Sequence, residues 1–63
     1  MFWIAQWWRK RQRDIDLDVL WPAIKAGASD IETAKTAFLI HAQSEPAWHD
    51  LSTHEVLSIL SHR

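Results

Sequence analysis

One glycine, Gly27, and two prolines, Pro22 and Pro46, are all the strong turn formers this chain has. Strands need tight turns between them, and glycine and proline supply most of those turns, so a meander or sandwich has little to turn on. Alternation with period two occurs only in DIDLD, residues 14–18. Within that stretch the helical period takes over, because Leu17, Leu20, Trp21 and Ile24 follow the i, i+3, i+4, i+7 rule. The chain reads as all-α.

The first helix is expected over residues 2–26, closed by Gly27 as a left-handed cap. Pro22 complicates it, since an internal proline deletes one hydrogen bond and collides with the preceding turn, at roughly 3 kcal/mol. A kink between Asp18 and Trp21 is the preferred outcome; the alternative places Pro22 in the first turn of a separate helix. A second helix is expected over 30–43. Ser29 with Glu32 fits a capping box, and Ile31, Ala34, Phe38 and Ala42 share one face. Leu39 and Ile40 lie off that stripe, as they would on a helix touched on more than one side. Glu45 precedes Pro46 and is biased out of helix. Residues 46–51 then read as a connecting turn anchored by Trp48 and Leu51. Ser52 and Glu55 form a second capping box opening a helix over 53–61, with Leu51 stapled to Val56. Val56, Leu57, Ile59 and Leu60 make its apolar face. Connections this short join antiparallel neighbours. The expected architecture is one domain, residues 1–63, a small three-helix bundle with a long N-terminal helix kinked near Pro22.

A chain of 63 residues buries only about 60% of the surface its unfolded form exposes. Cysteine is absent, so neither a disulfide nor a thiolate metal site can staple it. Yet 48% of residues are hydrophobic and five are Trp, which argues for a folded chain. Packing or self-association must supply the stability.

The net charge of −1 hides an asymmetry: Arg9, Lys10, Arg11 and Arg13 precede every acidic residue. The apolar run Met1–Trp8 is far shorter than the ~20 residues that span a bilayer. Its basic residues follow it, the reverse of a secretory signal. A cytoplasmic location is expected, with membrane-peripheral contact as the variant. At about 100° per residue, Trp3, Ile4, Trp7, Trp8 and Ile15 centre on one side of the first helix, and Leu17, Leu20, Trp21 and Ile24 on another. The later face is expected to meet the other helices. The earlier one either enlarges the core, meets a second copy or a foreign protein, or rests on a membrane surface, where Trp and adjacent cations favour anionic lipid. The candidate partner-binding residues are therefore Trp3, Trp7 and Trp8 with Arg9, Lys10, Arg11 and Arg13. Nucleic acid is a poor fit, because four cations neutralise only about four phosphates and the acidic body repels the backbone. Solvated i, i+3 pairing of Arg11 with Asp14 and Arg13 with Asp16 is the plain alternative for the basic run.

Asp14, Asp16 and Asp18 imitate the opening of a calcium loop, but Val19 replaces its glycine and Lys25 its bidentate Glu. His41, His49, His54 and His62 lack metal-binding spacing. Of these, His41 stands at the edge of the second helix's stripe and is placed to be half-buried. Ser52, His54 and Glu55 are neighbours in sequence, but capping already accounts for two of them. No cofactor, metal or catalysis is expected.

The succession WWRKRQRDIDLDVLWP, AFLIHA and PAWHDL resembles small uncharacterised helical proteins encoded by phages and prophages. The likeness covers nearly the whole chain and carries over no active-site residue. It implies an accessory protein that binds a host or phage macromolecule to inhibit or redirect it.

Overall fold

The computed structural model describes residues 2–63, with side chains from Gln6 onward. Among them every regular element is helical. α1 spans Phe2–Ile15, a π turn Asp16–Leu20, α2 Trp21–Gly27, α3 Ile31–Ser44, a 3-10 turn Pro46–Trp48 and α4 Thr53–Ser61. α1, the π turn and α2 follow without a break, so the protein is a three-helix bundle whose first helix is much the longest. That length draws the molecule out to 42 × 21 × 21 Å.

Pro22 neither ends the first helix nor opens a detached one. The irregularity lies in the turn before it, where the Trp21 N–H reaches back to the Asp16 carbonyl, an i to i−5 bond. A π turn of this kind adds one residue to an α-helix. An ordinary α-turn in this place would press the Asp18 carbonyl against the ring of Pro22. One added residue rotates everything downstream by about 100°. That rotation brings Asp16 into phase with Trp21 and Ile24, which Leu17 already matches at four and seven residues, and all four face the bundle. Trp7, Trp8 and Ile15 are left on the outer side.

The helix ends depart from expectation at two places. Gly27 is not a left-handed cap, since no residue of the described chain has positive φ. It is the last helical residue, and Ala28 turns directly into extended backbone at φ −91°, ψ 151°. Nor does Ser29 cap α3. Asp30 does, accepting from the Thr33 N–H at 2.7 Å from a β-region conformation. A carboxylate one residue further along displaces the Ser29 and Glu32 box, because either residue type can serve and the backbone leaves the extended region only after Asp30. At α4 the box is complete: the Glu55 N–H donates to Ser52 Oγ at 3.2 Å, and the Ser52 N–H donates to Glu55 Oε1 at 3.0 Å.

The core joins Leu17 and Trp21 to Ala34, Phe38 and Ala42 of α3, Ala47 and Trp48 of the 3-10 turn, and Val56 and Leu60 of α4. Phe38 is its hub, edge-to-face with Trp21 at 5.7 Å and with Trp48 at 5.2 Å between ring centres. Such pairs contribute about 0.5–1.5 kcal/mol beyond area burial. Ile31, expected on the buried stripe of α3, is exposed instead, as is Ile40; Leu39 is half-buried against the core.

Candidate functional site

Two features stand out once the helices are in place: an aromatic and basic solvent face on α1, and a buried polar cluster beneath it. Trp7 and Trp8 are 56% and 60% exposed, and they touch each other edge-to-face at 5.3 Å. Ile15 and Val19 continue the apolar character along the same helix, at 42% and 66% exposure. Large apolar side chains left outside by a core that has no room for them mark a contact surface more often than scattered single ones do.

The cations expected around the indoles divide. Lys10 and Arg11 are exposed and line a shallow crevice together with Trp7 and Asp14. Arg9 turns aside to Asp50, at 3.4 Å. Arg13 is half-buried. The side chain of Trp3 lies outside the described residues. Of the proposed i, i+3 pairs, that of Arg13 with Asp16 does not form, because Asp16 is committed elsewhere. Asp14 instead shares a crevice with Arg11.

Asp16 is the feature that sequence reasoning missed. It is the buried charged residue of the core, 3% exposed. Its Oδ2 accepts from the Trp48 indole N–H at 2.7 Å and from His41 Nε2 at 2.9 Å, while Oδ1 accepts from Gln12 Nε2 at 3.0 Å. A carboxylate only accepts, which fixes His41 as the Nε2–H tautomer or the imidazolium. The three donors come from α1, α3 and the 3-10 turn, so one side chain in the π turn ties three elements together. The signal in the sequence was indirect: a helix stripe bearing His41 and a turn bearing Trp48 both bring ring N–H donors inward and need an acceptor there. His41 is half-buried against this carboxylate. An oriented Asp–His pair is also a component of general-base sites, but here the carboxylate's other partners are a core indole and a glutamine, and the arrangement serves as a clasp.

Other polar groups serve the frame. The Asp30 and Glu55 carboxyls are both held below the usual carboxylate range, in each case first by the backbone N–H they accept at a helix start, from Thr33 and Ser52 respectively. Arg63 donates to Asp18 at 2.8 Å, fastening the C-terminus to the π turn. A crevice between α3 and α4, lined in part by Leu39, Trp48, Leu51 and Val56, measures about 230 Å³, below the ~300–1,000 Å³ of typical small-molecule sites.

No protein-family model matches the chain, and no curated protein or solved structure matches it either.

Proposed function

We infer that this chain is a small interaction module without catalytic activity, which engages a macromolecular partner through the solvent face of α1. The observation that carries this reading is the exposure of Trp7 and Trp8, more than half in each case, on the side of α1 opposite its core. Indoles bordered by Lys10 and Arg11 have the composition of binding hot spots, where aromatic and Arg side chains concentrate. The resemblance to phage and prophage proteins casts the partner as a host or phage protein, or a second copy, and the module as an inhibitor or modulator in the cytoplasm. A second reading, contact with anionic lipid, draws on the same cations beside the indoles. No helix among the described residues is long and apolar enough to cross a membrane.

Changing Trp7 and Trp8 together to Ala tests the reading. The far-UV spectrum and melt are expected to stay near those of the parent, while partner capture or self-association is lost. An unfolded double mutant would place the pair in the core and defeat the proposal. Salt separates the two readings: at 0.5 M, where the Debye length is roughly 4 Å, an aromatic protein contact holds and a lipid contact made by cations is released.

A further inference from the structure

We propose that the solvent face of α1 pairs with the same face of a second copy of this chain, antiparallel, about a two-fold axis lying between Arg11 and Ile15. The inference rests on the reading of that face as a contact surface and names its occupant.

The first ground is spacing. Trp8, Arg11 and Ile15 stand three and then four residues apart, the step of a helix–helix seam. The next seam position on a regular helix would be Asp18. The π turn supplies one additional residue and brings Val19 to the outer side, 66% exposed, opposite buried Asp16 and Leu17. The same bulge that puts the core into phase therefore prolongs an apolar row on the outside.

The second ground is charge complementarity. The N-terminal half of the row carries indoles with Lys10 and Arg11, and the C-terminal half carries Ile15 and Val19 with Asp14, Asp18 beside them being paired with Arg63 of its own chain. Antiparallel pairing lays each half on its complement: Trp8 over the partner's Val19, and Arg11 over the partner's Ile15 with its guanidinium beside the partner's Asp14. The stem of Arg11 covers apolar surface while its head reaches the carboxylate at the edge. Parallel pairing would set cation on cation and acid on acid. A two-fold antiparallel contact is also self-complementary, which closed dimers require. Asp14 further decides against a phosphate or anionic-lipid occupant, because it lines the same crevice as Trp7, Lys10 and Arg11 and would repel such a surface.

Sedimentation velocity on the full chain, at concentrations up to about 200 µM, provides the test. Wild type is expected to form a dimer, and Trp8→Ala to weaken it at least about tenfold, as truncation of a hot-spot aromatic does. Arg11→Asp and Asp14→Arg should each weaken self-association, yet the two variants mixed should form a heterodimer, and the double variant R11D/D14R should recover the homodimer. Should Trp8→Ala fail to fold, the Arg11 and Asp14 variants, both at exposed positions, still decide the matter. A wild type that stays monomeric, a dimer indifferent to Trp8, or charge reversals that fail to rescue one another would each overturn the pairing. A monomer that pellets with phosphatidylglycerol vesicles only when Trp7 and Trp8 are present would overturn the dimer but leave the contact face standing. A monomer whose indoles matter in neither assay would remove both.

Discussion

Two buried indoles in this core have opposite polar fates. Trp48 donates to Asp16, whereas the Trp21 N–H is buried without a hydrogen-bond partner. Lys25 sits over the Trp21 ring at 5.2 Å, which engages its face and not its N–H. Replacing either Trp with Phe removes comparable volume. Trp48→Phe, however, also takes a donor from a buried carboxylate, while Trp21→Phe deletes a group already unsatisfied. The first change is expected to cost at least about 1 kcal/mol more than the second, given the 1–3 kcal/mol attached to stranding a buried polar group. Paired urea melts measure the difference, and equal costs would mean that the Asp16 bond adds nothing net. Gly27 offers a simpler case. It is helical with negative φ, and a Cβ there meets nothing within 4 Å. Gly27→Ala should therefore stabilise the fold by about 0.5–1 kcal/mol, through the unfolded chain's lost freedom and α2's better propensity. A left-handed cap would give the opposite sign.

Local chemistry governs the element boundaries, and here acid titration is informative. The depressed carboxyls of Asp30 and Glu55 contribute stability in full above their unfolded values. That contribution is lost as pH falls through the usual carboxylate range, roughly pH 4, into their lowered folded values. Asp30→Asn keeps a capping oxygen without the titration and should flatten the acid limb of the melt; Ser29→Ala should leave it unchanged. Ser52→Ala removes a hydroxyl cap and is expected to cost about 0.5–2 kcal/mol. These starts, like α3 and α4 themselves, were legible because caps and 3.6-residue periodicity are written in neighbouring residues. Asp30 was passed over only because Ser29 satisfied the same local pattern. The π turn was not legible in that way. What holds it is Asp16 reaching His41 and Trp48, 25 and 32 residues away, and no local propensity encodes so distant a contact. The aromatic face was visible from helical angles, but which of its cations would turn aside depended on Asp50, also remote in sequence. If the bulge is a one-residue insertion, deleting Val19 should restore a continuous α-helix with both core faces still in phase. Pro22 would then press on the preceding turn, so the deletion should be tolerated beside Pro22→Ala and poorly tolerated with Pro22 retained. Thermal melts of the two deletion variants separate these outcomes.

For the whole molecule, the consequence of small size is that association and stability become one measurement. A 63-residue chain without cysteine has a narrow margin, and anything that binds only its folded form shifts the melt by mass action. If the α1 faces pair, raising the concentration from well below the dissociation constant to about a hundredfold above it stabilises each folded chain by about 1–2 kcal/mol. For a domain of this length that corresponds to roughly 8–15 °C in Tm. Wild type is thus expected to melt higher as it is concentrated, and the Trp7→Ala/Trp8→Ala variant to melt at one temperature throughout, close to that of dilute wild type. The last comparison matters most, because it separates surface from core. Indoles that contribute to the intramolecular fold would lower the melt at every concentration, whereas indoles that act only between chains leave the dilute limit untouched. Calorimetry over about three decades of concentration makes that distinction without knowledge of any partner.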